Sequence, residues 1–295
     1  MEPIATVLAA TDFSAAAAQA VQRAALLASE HRAELRLVNV VEPDFLLALR
    51  DLLDTHRDLQ ASVVEQARME LAAAVQALQQ AVPGVQVTPF VREGNVLQEL
   101  GREEQQAAVM VLGARGSHAL RGLALGTTAD RLLRTATQPL LVVKAAPAAA
   151  YTKVLLLADL SPLPVPALEF AARLAPAASL RLLHAVDLPF EGKLRLAGVG
   201  TEEIAAWRGR TAARAHEALE RMCDAAGQRL RTVISVQEGD VCRVFLQALE
   251  ELRPDLVVVA REHRSPVSDL LLGSVTRVVL EEAPCDVLVV PAART

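Results

Sequence analysis

The chain of 295 residues contains the same pattern twice, and this internal repeat restricts its fold more than any other feature. The segment VLAATDFS, which contains Asp12, has a counterpart 147 residues later that contains Asp159. Further matched landmarks are LRLVNVV at 35–41 with LRLLHAV at 180–186, VREGNV at 91–96 with VQEGDV at 236–241, and Gly126-Thr127 with Gly273-Ser274. Because the landmarks keep their order and nearly constant spacing, they predict two homologous domains, 1–146 and 151–295.

Short apolar runs alternate with longer amphipathic segments in both copies. The run ELRLVNVV at 34–41 becomes continuously apolar, as a parallel strand buried on both faces does, and Leu140–Val143 predicts a fifth strand. A long helical segment is expected from 45 to 81. Strands joined through helices of this length indicate parallel βαβ units with right-handed crossovers. We therefore predict an α/β fold in which each half is an open five-stranded parallel sheet, ordered 3-2-1-4-5, with helices on both faces.

The segment 109–144 reads as a strand, a glycine-containing loop, a helix start and another strand. Three glycines have the spacing G-x-x-G-x9-G, and two threonines follow; these residues are Gly113, Gly116, Gly126, Thr127 and Thr128. Glycine lets backbone amides approach an anion, and the start of a helix favours negative charge. The pattern predicts a phosphate site, although a flexible surface loop is the alternative.

Asp12 follows the first predicted strand and is the second candidate for a ligand contact. In an open parallel sheet, ligands bind at the carboxyl ends of the strands where the strand order reverses, here between strands one and four. Asp12 would then face the glycine loop. The alternative is that Asp12 caps the following helix, a role for which Ser14 competes.

The second copy keeps the scaffold but not the two leading glycines. Ala260 and His263 stand where Gly113 and Gly116 stand in the first copy, and Glu262 adds negative charge. We therefore expect one nucleotide per chain, in the first domain. Because the second copy keeps its scaffold without them, the two glycines are interpreted as serving a ligand and not the fold.

Composition and motifs exclude several classes of function. A net charge of −5 and an aromatic content of 3% argue against nucleic-acid binding. The N-terminus lacks the pattern of a signal peptide and no apolar run reaches the length of a membrane span, so a soluble, cytoplasmic protein is expected. The three cysteines form no C-x-x-C pattern, and the glycine loop has no lysine of the P-loop type. No H-E-x-x-H or G-x-S-x-G motif occurs.

These residues resemble the universal stress protein family in its tandem, two-domain form. The resemblance rests on ATDFS at 10–14, LVNVVEP at 37–43 and the G-x-x-G-x9-G-[ST] spacing. It implies Rossmann-like domains of the adenine nucleotide alpha hydrolase type that bind ATP, with or without Mg²⁺. It also implies Asp12 at the ribose or adenine, Val40 at the adenine and the glycine motif at the phosphates. The complete set of candidate nucleotide-binding residues is Thr11, Asp12, Val40, Gly113, Arg115, Gly116, Ser117, Gly126, Thr127 and Thr128.

The resemblance also bears on assembly and activity. It implies that the domains pair within the chain through Leu140–Val143 and Asp286–Val290 as a pseudo-dimer, and a further homodimer stays open. It implies a regulatory or protective role in stress, unnamed protein partners and at most slow ATP hydrolysis. The alternatives are a slow ATPase or other adenine-nucleotide hydrolase or transferase on the same fold, and a scaffold without a ligand.

Overall fold

A computed structural model of the chain describes residues 3–42, 59–114, 125–187, 191–261 and 273–292. The chain folds as two compact units, one extending to Ala150 and the other beginning at Tyr151. Residues 115–124 of the glycine loop, and the beginning of the helical segment predicted from 45, lie outside the described residues. None of the described helices is long and apolar enough to cross a membrane.

The first half alternates strands and helices throughout its described part. Its elements are β1 (Thr6–Ala10), α1 (Ala15–His31), β2 (Glu34–Val41), α2 (Leu59–Ala81), β3 (Gln86–Glu93), α3 (Val96–Glu104), β4 (Val109–Gly113), α4 (Thr127–Thr135) and β5 (Leu140–Val143). The predicted fifth strand has the bounds that the apolar run indicated. The strands β1, β4 and β5 are mostly aliphatic, and their central residues are almost completely buried, as expected for strands covered on both faces.

The second half repeats this arrangement. Its elements are β6 (Lys153–Leu157), α5 (Pro164–Leu174), β7 (Ser179–Val186), α6 (Glu191–Leu196), α7 (Thr201–Ala225), β8 (Thr232–Glu238), α8 (Val241–Leu252), β9 (Leu256–Arg261), α9 (Ser274–Glu282) and β10 (Asp286–Pro291).

Both halves have the predicted sheet. The strand order is β3-β2-β1-β4-β5 in the first half and β8-β7-β6-β9-β10 in the second, and the neighbouring strands within each half are parallel. The register is repeated as well: Val7 pairs with Val109, and Val154 pairs with Leu256, each residue 147 positions later. The predicted fold class and the order 3-2-1-4-5 are therefore confirmed.

A buried ion-pair cluster fastens α3 to the edge of the first sheet. The Glu103 side chain is 6% exposed, and its two carboxylate oxygens accept hydrogen bonds of 2.6 Å from Arg36 on β2 and Arg92 on β3. Both guanidinium groups also lie over the ring of Phe90, at 4.5 and 4.8 Å from its centroid. One carboxylate thus joins three elements next to the β3 edge.

Candidate functional site

The candidate site of the first half begins at the loop that follows β1. The Thr11 amide donates to Val38 O at 2.9 Å, and its carbonyl accepts a 2.8 Å hydrogen bond from Asn39 Nδ2. Asn39 is 7% exposed, in a strand that is otherwise aliphatic at its carboxyl end. These two bonds fix the backbone of the loop to β2 just before Asp12. Sequence reasoning missed Asn39, although a lone amide within LVNVV was a usable signal.

Ser14, and not Asp12, caps α1. Ser14 Oγ accepts from the Ala17 amide at 3.2 Å, whereas Asp12 Oδ1 accepts from the Ser14 amide at 3.0 Å and forms an Asx turn. The capping alternative for Asp12 is therefore wrong. Between them Phe13 has φ of +60°, a left-handed conformation that a bulky side chain rarely adopts. Such strain persists where the surroundings impose it, and it concentrates at functional sites.

The end of β2 lies beside this loop. Ala10 of β1 pairs with Val38, so Val40 is two residues further toward the carboxyl edge, where it is half-buried and pairs with Arg92 of β3. Asp12, which is exposed, follows Ala10 by the same two residues. The topology thus brings Thr11, Asp12 and Val40 together at the carboxyl ends of the strands.

Gly113 ends β4 on the other side of β1, and its environment explains why it is glycine. A Cβ on this residue would lie 2.8 Å from Ala16 O and 2.9 Å from Ala16 C, both backbone atoms of α1. The interpretation that the fold does not need Gly113 is therefore wrong for the first half. In the second half the counterpart of Ala16 is Leu163, which precedes α5 instead of lying within the helix, and the counterpart of Gly113 is Ala260.

The start of α4 forms the remaining described wall. Gly126 is the N-cap, without a side-chain cap, and Thr127 and Thr128 are the first two helical residues, both exposed. The Gly126 amide donates to Ala114 O at 2.8 Å, so this amide is committed to the loop and does not point to an anion. The expected anion contacts of this helix start therefore fall to the amides and hydroxyls of Thr127 and Thr128.

Charge at the same helix start is balanced locally. Asp130 lies in the first turn, where a carboxylate alone would oppose a phosphate, but Arg134 binds both of its oxygens at 3.0 and 3.1 Å. Three of the predicted site residues, Arg115, Gly116 and Ser117, lie outside the described residues. The described residues contain no group of three or more His, Cys, Asp or Glu side chains that could hold a metal ion.

The loop after β6 has the same construction as the loop after β1. The Ala158 amide donates to Leu183 O at 2.9 Å, and His184 Nδ1 donates to Ala158 O at 2.8 Å, which repeats the role of Asn39. Because a carbonyl only accepts, this contact places the proton on Nδ1. Asp159 Oδ1 accepts from the Ser161 amide and hydroxyl, at 3.0 and 2.5 Å. The second half thus keeps the frame of the crevice.

One cysteine has a shifted pKa, and it lies outside the candidate site. Cys223, on α7, is completely buried, and burial raises the pKa of its thiol above the ordinary value of 9.0. A raised pKa favours the neutral thiol, which is a poor nucleophile. The residue therefore serves packing.

Comparisons with known proteins give one family. The sequence model of the universal stress protein family matches the chain twice, over residues 3–144 and 150–291. The fold is similar to that of a universal stress protein from Archaeoglobus fulgidus, which is 17% identical, with a TM-score of 0.67 over 97% of this chain and 98% of that chain. It is also similar to a protein of unknown function from Pseudomonas aeruginosa PAO1, 20% identical, with a TM-score of 0.64 over 98% and 93% of the two chains. A search of the curated proteins finds no match.

Proposed function

Since the chain belongs to the universal stress protein family, we propose that its first half binds ATP and that the protein acts as a cytoplasmic regulator or protectant in stress. The observation that carries the proposal is the convergence of three elements at one edge of the first sheet. They are the loop after β1, the end of β2 and the start of α4. At the carboxyl ends of the strands the strand order reverses between β1 and β4, and open α/β sheets bind ligands at such a point.

Two walls of this site bind different parts of the nucleotide. Asp12 and the backbone at Val40 take the adenosine, since a carboxylate accepts hydrogen bonds from ribose hydroxyls. Thr127 and Thr128 take the phosphates, because the first amides of a helix have no intrahelical acceptor and the helix dipole favours anions. Any Mg²⁺ would accompany the phosphates. Gly113 supports the site indirectly, because it lets α1 approach β4.

The two halves of the chain have different roles in this function. The halves are domains with the bounds 1–146 and 151–295. Only the first binds ATP, since the second has Ala158 in place of Thr11 and His263 in place of Gly116, and Glu262 adds negative charge. Bound ATP alters the contacts of this protein with protein partners.

A proline substitution at the start of α4 tests the phosphate wall. Thr127→Pro removes both the amide hydrogen and the side-chain hydroxyl at the first helical position, where proline is well tolerated. Gly126 already has the φ of −73° and ψ of 154° that a residue before proline requires. The matched control is Ser274→Pro at the start of α9, where Gly273 has φ of −55° and ψ of 149°. Titration calorimetry with ATP is performed on the full chain of each variant.

We expect one ATP per chain, and a loss of affinity of at least about 10-fold for Thr127→Pro, since each hydrogen bond to a charged group contributes roughly 1.5–3 kcal/mol. Ser274→Pro should bind as the wild type does. Equal losses in both variants, or two equivalent sites, would contradict the proposal. Mass spectrometry of ligand released from the purified protein identifies the nucleotide. Release of inorganic phosphate well above background would favour the hydrolase alternative.

A further inference from the structure

The second half contains a cavity that the proposed ATP site does not use. It has a volume of about 150 Å³ and lies at the carboxyl ends of β6, β7 and β9, next to the starts of α5, α8 and α9. It thus occupies the position in the second sheet that corresponds to the crevice of the first. An apolar cavity of roughly this volume is sufficient for a single benzene ring.

The cavity has apolar walls at positions where the first half has polar side chains. At three positions of its lining the second half has an aliphatic residue, whereas the repeat places a hydroxyl or a carboxylate at the matching positions of the first half. The pairs are Ala158 for Thr11, Val244 for Glu99 and Val275 for Thr128. The strands add Leu183, Ala185 and Val259. These walls offer no hydrogen bonds to ribose or phosphate, but they favour the transfer of an apolar ring from water.

Two polar groups also line the cavity. Asp159 is exposed, and its Oδ1 already accepts from Ser161, but a carboxylate has about four acceptor positions and can accept further hydrogen bonds. Thr276 places a hydroxyl on a residue that is only 7% exposed. The lining thus combines aliphatic contact with a charged acceptor.

We propose that this cavity, the second crevice, binds a small aromatic compound of one ring that carries a hydroxyl or amino group. The ring lies among the side chains of Leu183, Ala185 and Val244, and the hydroxyl or amino group donates to Asp159. The two halves of the chain then bind chemically different ligands on the same scaffold. This proposal does not depend on ATP binding by the first half.

Fluorine NMR of the full chain tests the second crevice with two probes, 4-fluorophenol and fluorobenzene. Both should bind, because both supply the ring, and saturating ATP should displace neither. Val244→Phe fills the cavity and should abolish binding of both probes. Leu246→Phe is the matched control, since it adds the same ring to the same helix at a side chain that is 40% exposed and outside the cavity.

A second variant tests the polar contact without altering the core. Asp159→Ala, at an exposed position, should weaken 4-fluorophenol about ten-fold and leave fluorobenzene unchanged, since only the phenol donates a hydrogen bond. Several results would overturn the proposal: no binding of either probe, displacement by ATP, equal binding by the two phenylalanine variants, or equal losses of both probes in Asp159→Ala.

Discussion

Replacing Gly113 by alanine tests whether this glycine serves the packing of α1 on β4. The added Cβ would lie 2.8 Å from Ala16 O, 2.9 Å from Ala16 C and 3.1 Å from Ala17 N, whereas ordinary contacts begin at 3.4 Å. The two elements would have to separate by about 0.6 Å, the difference between 3.4 and 2.8 Å. All three atoms belong to the backbone of a helix, so no side chain can rotate away to relieve the contact.

Two opposing effects set the change in the free energy of unfolding that Gly113→Ala causes. Alanine loses less backbone entropy than glycine on folding, which favours the variant by roughly 0.5–1 kcal/mol. Overpacking a close-packed interior costs about 1–3 kcal/mol. We expect the second effect to dominate, because the nearest atoms cannot yield locally, and to leave a net loss of about 1–2 kcal/mol in the free energy of unfolding.

Urea unfolding followed by circular dichroism measures this loss. Gly101→Ala is the matched control: Gly101 lies inside α3, a Cβ added there would have nothing within 4 Å, and the change should stabilise the chain by about 0.5–1 kcal/mol. A Gly113→Ala variant that is as stable as the wild type or more stable would refute the packing argument. Gly113 would then have to be explained by a ligand alone.

Two further substitutions test contacts that hold the first half together. Glu103→Gln removes the charge between two arginines and should lower the free energy of unfolding, measured in urea, by about 3 kcal/mol. Glu65→Gln, in a surface pair with both side chains more than 60% exposed, should change it by less than about 1 kcal/mol. Similar effects of the two substitutions would contradict a special role for the buried cluster. Asn39→Ala leaves Thr11 O without its side-chain donor and should cost about 1–2 kcal/mol. Asn39→His should recover part of this loss, because His184 makes the same contact in the second half, and an absence of any recovery would contradict the equivalence.

Local sequence patterns were sufficient to predict the architecture of the two sheets. Strands buried on both faces require continuous aliphatic runs, and these runs are visible without knowledge of their neighbours. For this reason Leu140–Val143 was predicted with its observed bounds, and the repeat predicted that the second sheet has the same order and register as the first. The start of α4 at Thr127, directly after Gly126, was also readable from the chain.

Contacts between distant residues required the tertiary structure. Whether Ser14 or Asp12 caps α1 depends on backbone geometry that both side chains could satisfy, and only the fold shows Ser14 in that role. The reason for Gly113 depends on how closely α1 approaches β4, and Ala16 is nearly a hundred residues away in the chain. The apolar cavity of the second half depends on side chains from six elements together. The sequence by itself determined the two sheets and their repetition, because each strand carries its own apolar pattern. The tertiary structure decided the packing and the shape of the crevices, because these depend on distances between residues that no local pattern encodes.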